Sequence, residues 1–112
     1  MRIAVPVTDH LLHLHFGHCK SFVLLDVDPE SRAIVSSTEV AAPKHTPGLL
    51  PRWLKEHGVT TVIAGNMGTK ARILFQKNSI EVCPGAPSGP PLEVAREYLA
   101  GTLVTSETTC HH

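Results

Sequence analysis

Three histidines and one cysteine fall within seven positions, His13-Leu14-His15-Phe16-Gly17-His18-Cys19, of a 112-residue chain with eight histidines and three cysteines in all. Imidazole and thiolate are the side chains that bind borderline and soft metals. In an extended backbone His13 and His15 point the same way, whereas a turn at Gly17 brings His15, His18 and Cys19 together. Phe16 suits either of two roles, an anchor in the core or a shield that keeps water from a bound cluster. The spacing matches no strong zinc signature, and a solvated loop of neutral histidines is the plain alternative.

Other residues of metal- or anion-binding type lie elsewhere in the chain. His45 sits in Pro43-Lys44-His45-Thr46-Pro47-Gly48, just before a helical pattern. Taken alone, it is an ordinary polar residue at a helix start. Gly65-Asn66-Met67-Gly68 joins an apolar strand to a helix, where glycines let a ligand approach the backbone and the helix start favours an anion. It is neither a P-loop nor a dinucleotide fingerprint, and a tight strand-to-helix turn explains it equally. The chain ends Cys110-His111-His112, which could fold back as ligands or be a terminal addition. Cys83 reads as a small buried hydrophobe, Trp53 as core, and His57 as a partner for a helix C-terminus.

Counting narrows the chemistry. Three widely spaced cysteines argue against a disulfide framework. Without a C-x-x-C pair, one chain cannot assemble a conventional four-cysteine zinc or iron–sulfur site; a homodimer sharing one site would ease that shortage, and a monomer would need mixed ligands. Ten basic and ten acidic residues balance, so no field steers the chain to nucleic acid. No apolar run approaches the ~20 residues that span a bilayer. The start, "MRIAVPVTDH", lacks a signal-peptide core, so the expected location is the cytoplasm.

The elements that must position these residues follow from hydrophobic period. "RIAVPV" alternates as a half-buried strand, with Pro6 suited to an edge if its missing donor faces a neighbour. "TDHLLHLHFGHCK" has no period and reads as a loop. "SFVLLDVD" and "RAIVSSTEVAA" are strands joined by the turn "DPESR", hence antiparallel neighbours. "LLPRWLKEHG" is a helix starting near Gly48, with Pro51 in its first turn and Gly58 after its end. "VTTVIAG" is a strand covered on both faces. "TKARILFQKN" is a helix with Ala71, Leu74 and Phe75 inward and Asn78 as its stop. "IEVCPG" is a short strand, and "LEVAREYLAG" a helix ending at Gly101.

The order β-β-β-α-β-α-β-α predicts a three-layer α/β/α domain on a mixed five-stranded sheet, covering residues 1–104. Residues 105–112 read as a mobile polar tail. Loops beyond strand ends gather in one crevice of such a sheet, where the histidine loop, His45 and the Gly65–Gly68 turn would meet. Covalent catalysis has little to work with, since there is no G-x-S-x-G and no matched carboxylate pair. The order also resembles ribonuclease H, whose nucleases hold magnesium with acids on the first strand. "RIAVPV" has no acid, and Asp9, Asp26 and Asp28 lie elsewhere.

"RIAVPVTD", "HFGHCKSFVLLDVD", "HTPGLLPRWLKEHGVTTVIAGNMGTKA", "IEVCPGA" and the closing "CHH" resemble the dinitrogenase iron-molybdenum cofactor biosynthesis family, the nitrogenase accessory-factor-like domains. The resemblance spans essentially the whole chain. It implies a ribonuclease H-like fold and non-enzymatic binding or delivery of an iron–sulfur or iron–molybdenum–sulfur cluster. The histidine of the family's HFG motif falls on His15, and that of H-x-P-G on His45. A terminal cysteine–x–histidine falls on Cys110 and His112. His13, His18 and Cys19 gain nothing from it and stand on composition alone. The resemblance also brings in partners: cofactor-assembly proteins, or a P-loop ATPase of the cluster-carrier type. Two further readings stay open. One is a mononuclear zinc, nickel or copper domain using His13, His15, His18 and Cys19. The other is a metal-free regulatory partner of the ATPase.

Overall fold

The computed structural model describes residues 1–8, 11–12 (backbone alone), 20–43, 49–65, 69–86 and 89–103. Its elements are β1 (Arg2–Thr8), β2 (Leu11–Leu12), β3 (Ser21–Val27), β4 (Ile34–Ala41), α1 (Leu49–Glu56), β5 (Thr61–Ile63), α2 (Thr69–Lys77), β6 (Glu81–Cys83) and α3 (Pro91–Ala100). The sheet runs β4-β3-β1-β5-β6, with β2 attached to β1. β1, β5 and β6 are parallel, while β3 and β4 run against their neighbours. This is the mixed five-stranded sheet with three helices that the periodicity predicts, plus one short strand that it does not.

Side-chain alternation divides the core into two layers. Ile3, Val5 and Val7 of β1, Val23, Leu25 and Val27 of β3, and Ile63 of β5 pack with Val94, Ala95, Tyr98 and Leu99 of α3. The intervening Ala4, Phe22, Leu24 and Val62 pack with Leu54 of α1 and Phe75 of α2. Strands buried on both faces require helices on both faces. Tyr98, the largest fully buried side chain, hydrogen-bonds Thr61; burial pushes its phenol pKa up.

The three helices end in one way. Gly58, Ser79 and Gly101 have φ of 78°, 60° and 76°. Beside each of them two backbone bonds close the helix: Val59 and Gly58 donate to Leu54 and Lys55, Ile80 and Ser79 to Phe75 and Gln76, and Thr102 and Gly101 to Glu97 and Tyr98. This is the Schellman pattern. A serine in the left-handed position costs about 1 kcal/mol that a glycine would not. Asn78 helps by donating from Nδ2 to the Leu74 carbonyl at 2.8 Å.

Three sequence expectations need correction. Pro6 does not place β1 at an edge, because β1 is central. Its ladder with β5 covers only Ile3 and Ala4, so Pro6 lies beyond it and its missing donor breaks no bond there. Next, "HLLH" is not all loop: Leu11 and Leu12 pair with Thr8 and Val7. Val7 already pairs with Ser21 on one edge, so β2 takes the other, continuing past the end of β5. Finally, Leu74 does not face inward. The buried line of α2 runs through Ala71 and Phe75, and Leu74 is exposed beside Ile73. No helix among the described residues is long and apolar enough to cross a membrane.

Candidate functional site

The carboxyl ends of β1, β5 and β6 lie at one end of the sheet because the three strands are parallel. Each sequence segment with candidate ligands between elements departs from or returns to this end through fixed backbone. Segment 13–19 leaves after Leu12, paired with Val7, and returns at Lys20, whose amide donates to the Val7 carbonyl at 3.1 Å. The Ala42 amide donates to the Lys20 carbonyl at 3.0 Å, which pins the approach to segment 44–48. The Ala64 amide donates to the Cys83 carbonyl, and Gly85 and Ala86 donate back to Gly65 and Ala64, all within 2.8–2.9 Å. Those last three bonds tie together the starts of segments 66–68 and 87–88.

Gly65 is buried. Its carbonyl is occupied by the Gly85 amide, while its own amide donates to no acceptor among the described residues. The other candidates lie outside the described residues: His13, His15, Phe16, Gly17, His18, Cys19, His45, Asn66, Met67, Gly68, Cys110 and His112. The proposed boundary at residue 104 and the tail 105–112 lie there as well. Among the described residues no three histidine, cysteine, aspartate or glutamate side chains gather as a metal site.

The last described residues, at the end of α3, lie at the other end of the sheet. α3 runs back along the sheet, and its last turn meets the turn between β3 and β4. Cys110 is seven residues beyond Leu103, a reach of about 25 Å at full extension. A seven-residue strand such as β1 is about 20 Å long. That length of sequence is enough to span the sheet.

Cys83 differs from its sequence reading. It is almost fully buried at the end of β6, as expected of a small hydrophobe, but it is disulfide-bonded. With three cysteines in the chain, its partner is Cys19 or Cys110. The odd count excludes complete pairing, not a single bridge. The available signal was that Cys83 occupies the carboxyl end of a strand, where the site's loops begin.

Several other polar residues have structural work. Asp26 accepts from Arg2 Nε at 2.7 Å and from Ser36 Oγ at 2.8 Å. Arg2 and Ser36 together hold its carboxyl below the usual range. Arg2 also donates to the His57 carbonyl. Asp28 accepts from the Glu30 amide at 3.0 Å within the hairpin turn, and these turn bonds lower its pKa. His57 lies 4.3 Å from Trp53, centroid to centroid, with Nδ1 at 2.8 Å from the Trp53 carbonyl. It closes its helix as expected, and Trp53 packs against the core.

The family model for dinitrogenase iron-molybdenum cofactor proteins matches residues 1–101. The protein MJ0580 of Methanocaldococcus jannaschii is 26% identical over 85 residues, 73% of this chain and 72% of that one. The crystal structure of PH0822 superposes with a TM-score of 0.86 at 28% identity, covering 95% of each chain. The apo form of the orange protein from Desulfovibrio gigas has a TM-score of 0.70 at 24% identity, covering 94% of this chain and 92% of that one, a likeness of fold. With nearly its whole length matched by the family model, this chain belongs to the dinitrogenase iron-molybdenum cofactor family.

Proposed function

We propose that the carboxyl end of the sheet binds and hands on an anionic iron–sulfur or iron–molybdenum–sulfur cluster, with no reaction of its own. The observation that carries this reading is the anchoring of segments 13–19, 44–48 and 66–68 at one end of the sheet in a chain of this family. Such a cluster is cargo. It needs soft or imidazole ligands, amide donors and partial cover from water.

His15 is the first ligand in this reading, with His45 beside it. Gly17 and the Gly65–Gly68 turn, with Asn66 and Met67 between its glycines, supply amides, and the buried Gly65 amide is the described member of that set. Phe16 shields the cluster. His112 is a further candidate, with whichever of Cys19 and Cys110 is not bridged to Cys83, or both once a reductant opens that bridge. His13 and His18 are near enough in sequence to substitute. Ligands on connecting segments exchange more readily than ligands on strands, which suits delivery. The recipient is a cofactor-assembly protein or a P-loop cluster carrier in the cytoplasm. The strand order, with the central strand first in sequence and an antiparallel pair beside it, supports the ribonuclease H-like description.

The test is anaerobic reconstitution of the full chain with iron and sulfide under thiol reductant. Visible charge-transfer absorbance that is retained through gel filtration and lost in His15→Ala supports the proposal. No absorbance, or equal binding by the variant, refutes it.

A further inference from the structure

At the opposite end of the sheet, a cavity of about 540 Å³ lies between the β3–β4 turn and the last turn of α3. Its volume is in the range of small-molecule pockets. Ser31, Arg32, Ala33 and Ile34 form one wall, and Arg96, Leu99 and Ala100 the other. The lining residues include two arginines and four aliphatic residues, and no acidic one.

Arg2 has structural partners: Asp26 and the His57 carbonyl hold it. Neither the Arg32 nor the Arg96 side chain has an ion pair or hydrogen bond among the described residues. Helix capping does not explain them either, since the Glu97 and Tyr98 carbonyls at the end of α3 are filled by Thr102 and Gly101. The hairpin also puts Arg32 at φ 59°, a left-handed position that glycine or asparagine fills with less strain. Two arginines on one cavity whose lining has no acidic residue give it a local positive charge.

We infer that this cavity binds a small amphipathic anion, a carboxylate or phosphate on an apolar body, with Arg32 and Arg96 on the charge and Ile34 and Leu99 on the body. A guanidinium pair suits either head group because its paired N–H donors match two oxygens. The site is independent of the cluster-binding end.

The test is amide NMR of the full chain titrated with phenyl phosphate, benzoate, inorganic phosphate and phenol. Saturable shifts confined to Ser31–Ile34 and Arg96–Ala100 are expected with phenyl phosphate or benzoate. Which of the two binds more tightly identifies the head group. Inorganic phosphate and phenol, each lacking half the chemistry, should bind about tenfold more weakly or not at all. Arg32→Gln and Arg96→Gln should each weaken binding several-fold, while Lys55→Gln on α1 leaves it unchanged. Both arginines are exposed, and an unchanged far-UV spectrum checks the fold of each variant. Added salt should weaken binding by the wild type. No saturation below about 10 mM, shifts centred elsewhere, or undiminished binding by the double variant overturns the inference.

Discussion

The two ends of the sheet are held by different means. At the amino ends of β1 and β5, side chains do much of the fastening: Arg2 to Asp26, Ser36 to Asp26, and the Thr60 hydroxyl to the Arg2 carbonyl. At the carboxyl ends the fastening among the described residues is mostly backbone to backbone, through Lys20, Ala42, Ala64, Gly85 and Ala86, beside the Lys20 amide to the Thr8 hydroxyl and Ser21 to Glu39. Backbone anchors fix where a segment begins without consuming its side chains. One end is thus committed to stability, while the other can vary its side chains around a fixed entry and exit. On this account stability and cluster binding are separable, and substitutions at the two ends should show it.

The largest effect should come from the core that both ends share. Phe75→Ala empties a fully buried site on α2 and should cost about 3–5 kcal/mol in denaturant unfolding. Both ends should fail in one transition; separate transitions for the two ends would break the comparison. Next is His15→Ala. Bound iron and sulfide should fall about tenfold or more, since a first ligand matters at least as much as the partners that orient it, with the melting temperature unchanged. A matching loss of stability would mean that His15 is part of the scaffold.

Arg2→Met should do the reverse. It removes hydrogen bonds between charged or carbonyl partners and should cost about 1–2 kcal/mol, with cluster uptake as in the wild type. The smallest effect belongs to Asp26. Its folded pKa is lowered by Arg2 and Ser36. Its contribution is therefore present above the ordinary carboxylate range and lost as pH falls through the lowered folded value. Asp26→Asn should melt lower than the wild type at neutral pH, and the gap should close on acidification. A gap independent of pH would remove the ion pair from the account.

The sequence carried most of the fold. "RIAVPV" and "SFVLLDVD" are strands as their patterns predict, but β1 is not half-buried: Ala4 is as buried as Ile3, Val5 and Val7, because a strand between two helical layers hides both faces. What it missed had physical reasons. β2 is two residues long, too short to have a period. Pro6 is in a central strand because the neighbouring ladder stops short of it, a fact of strand length rather than of residue type. Leu74 and Ala71 both fit an inward face by spacing, and only the packing of Phe75 shows the helix's rotation. Arg2 and Asp26 meet through strand register across 24 residues, which no local pattern encodes. At the candidate site, topology alone predicted that the histidine, His45 and glycine segments would share one end. The arrangement of their ligands depends on loop conformation, for which "HLHFGHC" has no periodic signal.

The central claim is that the carboxyl end of the sheet carries a metal–sulfur cluster on His15. Its most direct test is the iron, zinc and acid-labile sulfide content of untagged protein purified without oxygen, with wild type and His15→Ala side by side. The account predicts iron with labile sulfide in the wild type and loss of both in a variant that melts at the same temperature. Zinc in one-to-one ratio without sulfide, or wild type and variant carrying the same iron and sulfide, would contradict it.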